Sequence, residues 1–186
     1  MFIVLEGIDG CGKSTQAKML ADWLEKNGQK TVLTAEPTKG RIGQYIREVL
    51  GGKEKVDPRT LALLFSADRC EHLGSEVMPA ISAGNAVVCE RYCHSTVAYQ
   101  SAQGVDRAWL LELNRFALKP DLTIFLDVPP KDAMERKVGR EIFEEKEFLG
   151  KVYKEYQGFK DVTHVDGSGK PEEVSERIRN TVARLL

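Results

Sequence analysis

Gly7-Ile8-Asp9-Gly10-Cys11-Gly12-Lys13-Ser14 decides the reading of this chain, because it follows directly on the apolar run Phe2-Ile3-Val4-Leu5. The stretch fits G-x-x-x-x-G-K-[ST] at every fixed position, with a strand pattern before it and an amphipathic helix pattern after it. Glycines let such a loop turn with its backbone N–H groups pointing inward, where they cradle an anion. Lys13 adds a point charge for β- and γ-phosphates, and the Ser14 hydroxyl can ligate Mg²⁺. The positive end of the following helix points at the same spot. The residues from Gly7 to Thr15 are therefore expected to hold a nucleoside triphosphate.

Outward from this loop, strand-like runs alternate with helical ones, which predicts an α/β fold. Strands are expected at 2–6, 31–34, 86–90, 122–128 and 163–165. The helix from Lys13 carries Leu20, Trp23 and Leu24 on one face and stops at Asn27-Gly28. Residues 42–50 return to helical spacing, and Asp57-Pro58 opens a long helix with Asp57 as its cap. Pro129-Pro130 opens another, and Pro171 to Leu186 closes the chain. The expectation is a five-stranded parallel sheet with helices on both faces, with ligands at the carboxyl ends of the strands. No repeat or linker interrupts residues 1–186, so one domain is expected.

Composition narrows the function classes. At 42 % hydrophobic and 30 % charged residues the chain has the make-up of an ordinary globular protein. A formal charge of −1 argues against a nucleic acid polymer as a bulk partner. No apolar run reaches membrane length, and the amino terminus passes straight into a strand, so neither membrane anchor nor signal peptide is expected and the cytoplasm is the expected location. Cys11, Cys70, Cys89 and Cys93 match no zinc spacing and read as free thiols. An exposed thiol at Cys11 would be open to alkylation.

Further signals lie at strand ends and on helices. Glu90-Arg91-Tyr92 follows the strand Ala86 to Cys89, at the ligand edge of the sheet. A carboxylate there can hold Mg²⁺ or orient a phosphate nucleophile, and an arginine can clamp a phosphate; a local surface ion pair is the plainer reading. Phe65 and Arg69 share a helix face, as a stacking residue and an edge-reading residue, or as a core phenylalanine beside a solvated arginine. Tyr99-Gln100 offers a ring against a sugar and an amide for a base edge, or simply core. Arg136 and Arg140 lie four apart in a charged stretch, which suits a closing lid or a solvated helix face.

Together these segments resemble the thymidylate kinase family along essentially the whole chain. The resemblance rests on FIVLEGIDGCGKST, on EPT at Glu36 to Thr38, on DPRTLALLFSADRCEH, ERYCHSTVAYQ and PDLTIFLDVPP, and on the final DGSGKPEEV. The succession of LLFSADR, ERY and AYQ is the specific part. It implies a P-loop kinase fold with a short lid near 136–146, and Mg²⁺-dependent phosphoryl transfer from ATP to dTMP. It implies that Lys13, Ser14 and Thr15 bind the ATP phosphates and Mg²⁺, with Glu90 close to the metal. Asp9, Glu36, Pro37, Phe65, Arg69, Arg91, Tyr99 and Gln100 would surround dTMP, with Phe65 stacked on the base, Arg69 and Gln100 at its edge, Arg91 on its phosphate and Tyr99 at the 2′ position. Lys13, Glu90, Arg91, Arg136 and Arg140 would serve catalysis, and a homodimer is implied. The chain departs from common members in having Glu90 for Asp, Ala35 for Arg, Gly10 without an arginine, and Tyr153 where arginine is common. Lys39, Arg41 and Arg47 are the candidates to replace the arginine lost at Ala35, and short EPT resembles archaeal members. Other monophosphate kinases, deoxynucleoside kinases and nucleotide-binding regulatory proteins are the rival readings.

Overall fold

In the computed structural model, which describes residues 1–136 and 143–185, the strands are β1 (Phe2–Glu6), β2 (Thr31–Ala35), β3 (Ala86–Glu90), β4 (Leu122–Asp127) and β5 (Thr163–Asp166). They form one parallel sheet in the order β2-β3-β1-β4-β5. The central strand β1 is buried at every residue, as expected where helices cover both faces. Its side chains alternate between two apolar clusters, with Ile3 and Leu5 in one and Phe2 and Val4 in the other. Neighbours diverge on either side of β1, to β3 and β2 one way and to β4 and β5 the other. That divergence opens a crevice at its carboxyl end.

The helices are α1 (Lys13–Lys26), α2 (Arg41–Leu50), α3 (Pro58–His72), α4 (Met78–Ser82), α5 (Cys93–Ala102), α6 (Arg107–Leu113), α7 (Pro130–Glu135), α8 (Phe143–Gln157) and α9 (Pro171–Val182). The expected α/β architecture with helices around a parallel sheet is what the chain adopts. Asp57 caps α3 as expected, accepting from the Arg59 N–H at 2.8 Å. Some boundaries differ. β2 and β5 each run one residue further, β4 stops at Asp127, and α9 gives way to a 3₁₀ turn at Ala183–Leu185. A π-helical turn at Leu73–Val77 joins α3 to α4, and α6 was not foreseen, although Asp106 caps it through the Trp109 N–H at 2.7 Å. Arg140 and the middle of the expected lid lie outside the described residues.

Candidate active site

The phosphate loop joins β1 to α1. Gly7, Gly10 and Gly12 all have positive φ, at 148°, 83° and 99°. At Gly10 a Cβ would collide with the carbonyl of Ala133 on α7, so this geometry admits no side chain there. Gly12 precedes α1 with no side-chain cap, which leaves the first N–H groups of the helix for an anion. Lys13 is 4 % exposed, and its Nζ donates to the carbonyls of Gly7 at 3.0 Å and Ile8 at 2.8 Å. Burial, followed by the charge of Arg91, pushes its pKa below the ordinary value. Cys11 is buried against the same lysine: at 2 % exposure the Sγ is shielded, so the exposure that alkylation would need is not there.

Ser14 and Glu90 meet at the mouth of the loop. The Ser14 hydroxyl donates to Glu90 Oε1 at 2.9 Å. A cavity of about 480 Å³ runs past them, walled by Asp9 through Gln16, Glu90, Arg136 and the segment from Gly167 to Val174. Arg136 lines it, donating to Gly167 O at 3.2 Å and Cys11 O at 3.4 Å.

Arg91 has a φ of 68°, in the left-handed region that non-glycine residues rarely enter. That turn sends its guanidinium back over the loop. It donates to Ser95 Oγ at 3.0 Å and to Asp9, and it lies 5.0 Å from the centre of the Tyr99 ring. The Tyr99 hydroxyl accepts from the Asp9 N–H at 3.0 Å. Burial pushes the Tyr99 pKa up to about 12, so the phenol keeps its proton.

Beyond Arg91 a second cavity of about 250 Å³ opens between α3 and α5. Asp9, Glu36, Pro37, Phe65, Arg69, Arg91, Tyr99 and Gln100 all line it. Asp9 borders both cavities. Arg69 is fully buried, and its guanidinium donates to Glu36 at 2.7 Å, to Thr96 at 3.1 Å and to Asn114. Glu36 Oε1 also lies 3.1 Å from His72 Nδ1. Two polar atoms in this wall, Arg69 Nε and Gln100 Oε1, are buried without a hydrogen-bond partner among the described residues.

The thymidylate kinase family profile matches residues 5–178. This chain belongs to the thymidylate kinase family. A protein named "Probable thymidylate kinase" from Thermococcus kodakarensis is 50 % identical over 150 residues, 76 % of this chain and 73 % of that protein. Its namesake from Pyrococcus abyssi is 42 % identical over 190 residues, 95 % and 93 % of the two chains. The one from Methanocaldococcus jannaschii is 46 % identical over 156 residues, 84 % and 79 %.

Within this thymidylate kinase frame, the residues singled out in the sequence gather around two adjoining cavities. Lys13, Thr15, Glu90 and Arg136 face the first, and the eight residues read around the acceptor face the second. Gly7 and Ile8 lie under the first cavity, where their carbonyls hold Lys13. Arg69 differs from the solvated alternative considered for it, because it is a buried ion-pair partner. The sequence reading passed over Glu6, Ser95, Thr96, Asn114 and Tyr156, which hold the arginines in place. The available signal was a glutamate ending an otherwise apolar strand.

Proposed function

We propose that this chain transfers the γ-phosphoryl group of ATP to the 5′-phosphate of dTMP, giving dTDP and ADP. The observation that carries the reading is the pair of cavities meeting at Asp9, one walled by the phosphate loop and one by an aromatic and amide-bearing pocket. On this reading the donor and acceptor phosphates would face each other across Asp9, with its ion-pair partner Arg91 on the acceptor side. The acceptor oxygen is ionised near neutral pH, so alignment and charge neutralisation by Lys13 and Arg91 supply the catalysis.

Ser14 and Glu90 suit a hard divalent cation, because both offer oxygen and both stand at the loop's mouth. They would hold Mg²⁺, directly or through water; when bound it neutralises charge on the phosphate oxygens. In the acceptor pocket, Phe65 supplies the apolar wall and Gln100 Oε1 an acceptor in need of a donor. A buried unsatisfied acceptor costs about 1–3 kcal/mol, and the N3–H of thymine is the group that relieves it. Cytosine presents an acceptor at N3 and would have to meet the same oxygen from its exocyclic N4 amine, at a different position on its edge. Arg69 Nε offers a matching donor to a base carbonyl. Arg47 donates to the carbonyls of Pro37 and Thr38, which commits it to the loop and leaves Lys39 and Arg41 as the candidates to replace the arginine absent at Ala35.

We read residues 1–186 as one catalytic domain with a lid near 136–146 that carries Arg136 and Arg140, acting in the cytoplasm as a homodimer. Among the described residues no helix is long and apolar enough to cross a membrane. Leu63 on α3, Trp109 and Leu111 on α6, and Phe116 beyond it are exposed apolar groups that a second copy would cover. Light scattering at micromolar concentration is expected to give twice the chain mass; a monomer would refute the dimer. The test of function is ADP release from Mg·ATP with a panel of nucleoside monophosphates and thymidine. Preference for dTMP over dCMP and thymidine is expected. A different preferred monophosphate would refute the pocket reading, and no turnover with any acceptor would refute the kinase.

A further inference from the structure

Glu6 is the last residue of β1 and is completely buried, yet nothing in the phosphate-loop chemistry requires a carboxylate there. Two hydrogen bonds enter each of its oxygens. Oε1 accepts from the backbone N–H groups of Tyr92 at 2.8 Å and Ser95 at 3.1 Å. Oε2 accepts from the hydroxyls of Ser95 at 2.5 Å and Tyr156 at 2.9 Å. The α5 helix has no side-chain cap of its own, so Glu6 caps it from another element.

The same contacts surround Arg91. Its backbone N–H donates to Leu5 O at 2.9 Å, and the next N–H along, that of Tyr92, donates to Glu6. The left-handed backbone at Arg91 is thereby pinned on one side by the last two residues of β1. On the side-chain end, Ser95 Oγ accepts from Arg91 Nη1 at 3.0 Å while its proton points into Glu6. Glu6 fixes which way the serine lone pairs face, and so where the guanidinium rests.

We propose that Glu6 is a positioning residue for the acceptor phosphate, acting through Ser95 to hold Arg91 in its left-handed, loop-facing pose. This rests on the reading of Arg91 as the acceptor-phosphate clamp. It makes a prediction that a purely structural glutamate does not, namely that the penalty falls only on ligands that carry the 5′-phosphate.

The experiment compares Glu6→Gln and Ser95→Ala with the wild type, using three readouts: the KM for dTMP, the KM for ATP, and the inhibition constant of thymidine, which has the base and sugar without the phosphate. Gln keeps the size of the side chain but places a donor where an acceptor was, so Ser95 Oγ must accept from it as well as from Arg91. Each variant is expected to raise the dTMP KM by about tenfold or more, with ATP KM and thymidine inhibition within about twofold of wild type. The double variant is expected to be little worse than either single one, because both break the same relay. An unchanged dTMP KM in Ser95→Ala overturns the proposal, even if Glu6→Gln does not fold. Equal weakening of dTMP and thymidine also overturns it, since that marks general damage to the pocket. Failure of the underlying kinase reading is distinct, because the wild-type protein would then show no dTMP turnover.

Discussion

Removing Glu36 is expected to destabilise the ligand-free protein severely, through the charge it leaves behind. The side chains of Glu36 and Arg69 are 2 % and 1 % exposed and meet at 2.7 Å. Burial alone would lower the arginine's pKa, but the charge of Glu36 overrides it and the net shift is upward. At an effective dielectric of about 20, such a pair attracts by roughly 6 kcal/mol, and most of that is offset by the desolvation of both ions. Glu36→Ala removes the attraction and keeps the desolvated cation, a loss of about 3–5 kcal/mol. His72 loses its partner on Glu36 Oε1 as well. In a chain of this length about 1 kcal/mol moves the melting temperature by roughly 2–4 °C, so a fall of about 6–20 °C is expected.

Thermal melts followed by circular dichroism, with urea titrations alongside, would measure it on protein free of nucleotide. The decisive arm is the double variant Glu36→Ala with Arg69→Met, which removes both charges and should recover at least half of the loss. A fall of less than about 4 °C in the single variant would refute the reasoning. So would a double variant worse than the single one, because the stranded cation would then not be the cause. The same argument makes Arg69→Ala a poor probe of base recognition, since it removes the arginine partner of the buried Glu36 and leaves that carboxylate beside His72.

Lys13→Ala is expected to nearly abolish turnover; retention of more than about a tenth of the wild-type rate, under about 1.4 kcal/mol, would remove the lysine from the transfer step. Arg136→Ala is expected to raise the ATP KM with dTMP KM unchanged, because its guanidinium lies against Cys11 O and Gly167 O. A fall in kcat with ATP KM unchanged would instead make it a transfer cation. Asp127 is expected to add acid sensitivity. Burial would raise its pKa, but hydrogen bonds from Tyr153, Gln157 and His164 prevail and hold it below the usual carboxylate range. Its stabilisation is present above the unfolded value and lost as pH falls through the lowered one. The gap in urea midpoint between wild type and Asp127→Asn should therefore shrink on going from pH 7 to below the lowered value; a constant gap would refute the assignment.

The parts of this fold that were legible in the sequence are those set by near neighbours. The phosphate loop announces itself within eight residues, and β1 is apolar from Phe2 to Leu5 because a central parallel strand is covered on both faces. Pairing across the fold was not legible. Arg69 finds Glu36, Thr96 and Asn114 at separations of 33, 27 and 45 residues, and Glu6 finds Tyr156 at 150. Periodicity says which face such a residue occupies and nothing about who meets it there. The α6 helix is a different case, since the cap at Asp106 and the run Trp109-Leu110-Leu111 carry a local signal that went unread.

The two buried carboxylates make one physical argument together. Glu36 is bonded to Arg69, and Glu6 is linked through Ser95 to Arg91; both arginines line the acceptor cavity. A well-packed apolar pair would often stabilise such sites as well or better, because burying ions is costly. What an apolar pair cannot do is hold a cation's N–H groups at a fixed place in a low-dielectric wall before the ligand arrives. A charge held this way reorganises little when a phosphate binds, and its field is screened less than in water. On the proposed reading, the left-handed Arg91 and the ion-paired Arg69 are the same device at the two ends of the acceptor nucleotide. Stability is given up at Glu6 and Glu36 so that the geometry at Arg91 and Arg69 is set in advance.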